Sequence, residues 1–161
     1  MIRGIKFVSI PVRNQDVSLK FYTESLGLKV VTDQPFTDTQ RWIELLIPGA
    51  DTGLALFTPE GHEKRIGEFQ GVAFWCDDLF ATAKILKCKG VTFAQEPKNE
   101  PWGSLAVFRD PDGNQFALSI CAGLCHKTLA DRRSRPETGK TRCSQRAGVG
   151  RLPQKEWQPR K

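Results

Sequence analysis

Two periods of apolar and polar residues alternate along this chain, and their order repeats. IKFVSIPVRNQDVSLKFYTESLGLKVV passes from strict alternation through a polar turn into helical spacing, then a glycine and alternation again; GVAFWCDDLFATAKILKCKGVTFA follows the same course. Period 2 marks strands and period 3.6 marks helices. Asn14 or Asp16 can cap the first helix and Asp78 the second, while Gly27 and Gly90 supply left-handed stops. Val17, Phe21 and Leu28 are expected to face a core from the first half, and Leu79, Ala83 and Leu86 from the second. Each helix is followed by three alternating stretches: LKVVTD, RWIELLIPG and TGLALF, then VTFAQ, SLAVFRD and NQFALSI. The pattern predicts an α+β fold of two βαβββ modules, residues 4–58 and 69–121, joined by the polar linker TPEGHEKRIGE.

Alternation also sorts the strand residues into two faces. Val8, Ile10 and Val12, Leu54 and Leu56, Val72, Phe74 and Cys76, and Phe116, Leu118 and Ile120 form apolar rows suited to packing against the helices. The opposite rows read Phe7, Ser9, Pro11; Ala55, Phe57; Gly71, Ala73, Trp75; and Gln115, Ala117, Ser119. Small, polar and aromatic residues in this mixture resemble the lining of a cup more than a core.

Charge changes the picture at one end only. The chain of 161 residues carries a formal +6. Residues 1–121 hold 13 basic and 15 acidic side chains, net −2, whereas residues 122–161 hold 11 and 3, net +8. The tail lacks periodicity and holds few large apolar residues beyond Leu124, Leu129, Leu152 and Trp157, so residues 122–161 are expected to be mostly disordered, outside a domain spanning 1–121. Charge alone lets such an arm bind nucleic acid or an anionic surface, but interleaved aromatics are missing, and a solvated tail is the preferred reading. Five cysteines, an odd number, and no apolar leader favour a reducing cytoplasm over a disulfide framework. Cys76 and Cys88 occupy core-like positions. Cys121, Cys125, His126 and Cys143 lack paired zinc spacing, so no metal is assigned to them.

FYTESLGL in the first module and FRDPDGNQFALS in the second, in that order, resemble the vicinal oxygen chelate superfamily, which includes glyoxalase I, extradiol dioxygenases and bleomycin resistance proteins. The resemblance covers residues 4–121. It implies helices on the outer face of a cupped, mostly antiparallel sheet, a cavity between modules, and commonly a homodimer. It also implies a divalent metal held by four strand residues, and local motifs carry those positions onto Phe7, Ala55, Gly71 and Ala117. None of these side chains has a lone pair to donate, so no metal and no other cofactor is expected.

The expected function is therefore metal-free sequestration of a small, partly apolar molecule such as a drug or metabolite, the state the resemblance associates with bleomycin resistance proteins. Candidate ligand contacts are Phe7, Ser9, Trp42, Glu44, Phe57, Trp75, Trp102, Gln115 and Ser119. Trp75 can stack on a flat ligand or simply fill the cup, and Trp102 can cover its mouth or anchor a loop. The alternative is a lyase-like or dioxygenase-like enzyme, with unorthodox metal ligands or with a desolvated Glu44 as general base; the plain reading of Glu44 is a solvated edge-strand carboxylate. Arg41 reads as a surface residue and His62 as a solvated linker residue. The DPDG segment is expected to form a type I turn without chemistry.

Overall fold

A computed structural model describes residues 1–38, 40–61 and 63–120. The tail, His62 and the group Cys121, Cys125, His126 and Cys143 lie outside the described residues.

The first module comprises β1 (Phe7–Pro11), α1 (Gln15–Lys20), β2 (Lys29–Pro35), β3 (Arg41–Leu46) and β4 (Gly53–Phe57). The second comprises β5 (Phe69–Cys76), α2 (Leu79–Cys88), β6 (Thr92–Glu100), β7 (Gly103–Arg109) and β8 (Gln115–Ile120). Each builds one four-stranded sheet, in the order β1-β4-β3-β2 (sheet A) and β5-β8-β7-β6 (sheet B). The first and last strands of each module pair in parallel, and the remaining pairs are antiparallel. The expected α+β fold is found, as two mixed sheets that repeat one topology.

Both helices start where polar side chains satisfy their first amides. Asn14 Oδ1 accepts from the Asp16 and Val17 amides, and Asp78 Oδ1 from the Ala81 amide. Asn14, and not Asp16, is thus the cap of α1. Leu79, Ala83 and Leu86 are buried as expected. In α1 the expectation fails in part: Val17 is 51% exposed, while Ser18 and Tyr22 are fully buried. Ser18 and Tyr22, four residues apart, form the buried stripe instead, their hydroxyls donating to Asp112 and Asp110, and a single π-type turn over Phe21–Ser25 follows α1. Cys88, expected in the core, is exposed on α2.

One core joins the modules. Ile10, Val12, Ile43, Leu45, Leu54 and Leu56 from sheet A merge with Leu79, Ala106, Phe108, Phe116 and Leu118 from α2 and sheet B, and Tyr22 meets the Phe116 ring edge-on at 6.4 Å.

The segment Asp110–Asn114 fastens this junction. The Gly113 amide donates to the Asp110 carbonyl at 3.0 Å, closing the expected turn. Asp110, only 5% exposed, accepts at Oδ1 from the Asp112 and Asn114 amides and at Oδ2 from Tyr22 Oη and Asn114 Nδ2. Asn114 is fully buried; its Nδ2 also donates to the Pro11 carbonyl at 2.8 Å, and its Oδ1 accepts from the Gly67 amide and Gln70 Nε2. Asp112 in turn accepts from the Arg13 amide and Ser18 Oγ. The turn therefore clasps β1, the first helix and the segment leading into β5. Burial pushes the Asp110 carboxyl above its ordinary range despite four donors, and pushes the Tyr22 hydroxyl well up, with Asp110 adding to the shift.

Candidate ligand-binding surfaces

The helix-remote faces of the two sheets carry all but one of the predicted site residues; Trp102 occupies a hairpin tip. On sheet A, Ser9 and Glu44 are both in register with Ala55, so Phe7 and Ser9, Ala55 and Phe57, and Trp42 and Glu44 share one face. Because β4 lies between β1 and β3, the contact between the Phe7 and Trp42 rings has to cross above β4. They meet edge to face, with centroids 5.3 Å apart and planes at 70°. Phe36 adds a third ring 6.0 Å from Trp42. Only Gly53 and Ala55 stand on β4 before Phe57, and Ala55 is fully buried. A Cβ on Gly53 would come within 2.3 Å of the Leu45 carbonyl oxygen, so even the smallest side chain is excluded there.

Glu44 departs from the plain sequence reading. Its strand is internal, its side chain is 13% exposed, and its carboxylate receives Lys6 Nζ at 3.1 Å. An edge-strand carboxylate in open solvent is thus ruled out, and the group is committed to an ion pair. Arg41 likewise donates to Asp16 at 2.6 Å and forms an ion pair with Asp33 at 3.2 Å.

Sheet B presents a different surface. Along β5 the residues Phe69, Gly71, Ala73 and Trp75 are all exposed while their alternates are partly buried. Register lays out three rows: Trp75, Ser119 and Leu105; Ala73, Ala117 and Val107; Phe69, Gln115 and Arg109. Gly71 lies in a bulge between the last two rows with φ 68°, a conformation open to glycine and strained for other residues. Trp75 is 54% exposed. Trp102, 71% exposed, forms with Pro101 the two-residue turn between β6 and β7, at the sheet end that carries Trp75. Neither tryptophan touches another ring among the described residues.

The nine predicted contacts therefore fall into two groups, Phe7, Ser9, Trp42, Glu44 and Phe57 on sheet A, and Trp75, Trp102, Gln115 and Ser119 on or beside sheet B. Two clefts of about 360 Å³ each lie away from both faces, one between α2 and β6, the other beside Arg13 and Arg41. Sequence reasoning missed Leu105, Val107 and Arg109, although alternation in SLAVFRD puts them on one side of β7.

The positions that hold a metal in related enzymes do not fit one. Phe7 and Ala55 sit within the ring cluster of sheet A, Ala117 is a methyl on an open floor, and any donor side chain at 71 would have to adopt a strained backbone. The donors flanking Ala55 are one hydroxyl and one carboxylate already paired with Lys6. Among the described residues no three His, Cys, Asp or Glu side chains cluster as a metal site would need.

Two βαβββ modules, each with one four-stranded mixed sheet, define the class of fold to which small-molecule-binding proteins and enzymes of this kind belong. Residues 4–118 match the Glyoxalase/Bleomycin resistance protein/Dioxygenase superfamily, and the chain belongs to it. It is 34% identical over 119 residues to the uncharacterized protein YetH of Bacillus subtilis (strain 168), covering 73% of this chain and 98% of that one. Among solved structures it is similar to TnmS3, an antibiotic binding protein from Streptomyces sp. CB03234, at 34% identity and TM-score 0.63, over 75% of this chain and 98% of the other. A superfamily member from Sphaerobacter thermophilus DSM 20745 matches at 33% identity and TM-score 0.69, over 74% and 98%. Among the described residues no helix is long and apolar enough to cross a membrane.

Proposed function

We propose that this protein binds a small, partly apolar molecule such as an antibiotic or metabolite and releases it chemically unchanged. The observation carrying this reading is the pairing of donor-free metal positions with a bare, aromatic-edged floor on sheet B. A Lewis acid needs ligands that Phe7, Ala55, Gly71 and Ala117 do not offer. A binding floor needs accessible apolar area with a few polar groups, which Trp75, Ala73, Ala117, Gln115 and Ser119 offer. The likeness to an antibiotic binding protein supports the same reading.

We further propose that the protein is a homodimer whose second copy flanks sheet B and leaves its floor to the ligand, since an exposed row ending in Phe69 and Trp75 is a costly surface for a lone chain. Light scattering at micromolar concentration is expected to give twice the mass of one chain.

The test of the binding reading is a thermal-shift screen of dialysed protein against a broad panel of antibiotics and aromatic metabolites. Stabilisation by at least one compound, recovered intact by mass spectrometry after long incubation, is expected. A stoichiometric divalent ion after dialysis, or conversion of the compound, would overturn it.

A further inference from the structure

The three rows of sheet B restrict what kind of molecule can lie there. In the middle row Ala73 and Ala117 offer only methyls, with Val107 at the side, and the neighbouring bulge carries Gly71; nothing projects high enough to meet a rounded ligand, so the floor is a shelf. Trp75 and Phe69 rise at its two ends. Ser119 and Gln115 mark the same ends, four residues apart on one strand, which is about 13 Å along an extended chain. Neither side chain has a hydrogen-bond partner among the described residues.

Charge on the shelf is one-sided. Its three rows contain no carboxylate, and their one formal charge is the Arg109 guanidinium, in register with Gln115. Arg109 has no ion-pair partner among the described residues. On the bordering strand β6, Lys98 and Glu100 pair with each other and cancel. The Arg109 and Gln115 end therefore presents donors to an acceptor or anionic group, while the methyl floor excludes charge from the middle.

We propose that the ligand of sheet B is a flat polycyclic molecule with an acidic or strongly accepting group at one end, seated toward Arg109 and Gln115, and that flat cations are rejected. This rests on the binding reading above and narrows it to a ligand class.

Equilibrium dialysis of the full chain against four probes tests it: anthracene-2-carboxylate (flat, acidic), acridone (flat, neutral), proflavine (flat, cationic) and adamantane-1-carboxylate (acidic, rounded). Anthracene-2-carboxylate is expected to bind at least tenfold tighter than proflavine and adamantane-1-carboxylate. Arg109→Gln, an exposed substitution, is expected to erase its advantage over acridone, and Ala117→Leu to weaken both flat probes tenfold with an unchanged unfolding midpoint. Equal or tighter binding of proflavine or the rounded acid, an unchanged ratio in Arg109→Gln, or no binding of either flat, non-cationic probe would overturn the inference. The broader panel judges the binding reading separately, so a compound of another shape found there would sink this ligand class and leave that reading standing.

Discussion

Sheets A and B share topology, strand order and helix packing, yet their remote faces have opposite characters. On sheet A, rings of Phe7, Trp42 and Phe36 close over Ala55, and Lys6 satisfies Glu44. On sheet B, the equivalent floor of Ala73 and Ala117 is bare, and Trp75 stands half in solvent. Duplicated backbones thus diverge by side-chain reach: long residues on the strands flanking β4 fill one face, whereas Ala73 on β5 and Ala117 on β8 leave the middle of the other vacant. One half supplies rigidity and the other supplies accessible surface.

Four tests bear on this contrast. The largest effect is expected from Asn114→Ala, which strands the Pro11 carbonyl and the Gly67 amide and takes one donor from Asp110. A loss of about 3 kcal/mol is expected, with both sheets unfolding in a single urea transition. Two separate transitions would break the picture of one shared core. Next, Trp42→Ala should cost about 2 kcal/mol by opening a cavity in the ring cluster, whereas Trp75→Ala should change stability by less than about 0.5 kcal/mol. Equal costs would mean that the two faces are alike.

A pH series is expected to show the effect of the clasp. The Asp110 carboxyl is raised in the folded state, so the native protein holds this proton more firmly than the unfolded chain. Its contribution is fully present below the ordinary carboxylate range and is lost as pH rises through the folded value. Urea midpoints between neutral pH and pH 4 should therefore show a gain on acidification that Asp110→Asn lacks. The smallest effect belongs to Lys6→Ala. Because Lys6 is 74% exposed, the pair with Glu44 should contribute under about 1 kcal/mol and fade in high salt.

Much of this architecture was legible in the residues. Alternation alone separated Ile10, Leu56, Phe74 and Leu118 from Ser9, Ala55, Trp75 and Ala117, because period 2 leaves no freedom about which side chain faces the helices. Caps and glycine stops located both helices. What failed was nonlocal. In α1 the buried stripe runs through Ser18 and Tyr22, four residues apart, in place of Val17, and the Asp112 and Asp110 carboxylates that accept from their hydroxyls lie 94 and 88 residues away. Glu44 was misread as an edge residue because strand order is set by pairing between distant segments. The Asp110–Asn114 segment was legible as a turn but not as a clasp, since its partners Pro11, Ser18, Tyr22 and Gly67 lie 47 to 103 residues away. The candidate site was legible as two sets of residues; that one set would be packed shut and the other open depends on ring contacts and register.

The Asn114 amide has a consequence for how the polypeptide itself can be rearranged. It ties the end of β1 to the threshold of β5 directly, so the covalent link between modules is not what keeps them together. A nick in the stretch joining β4 to β5 should leave two halves that stay associated, which makes that stretch a place to open the backbone or graft in new sequence without dismantling the fold.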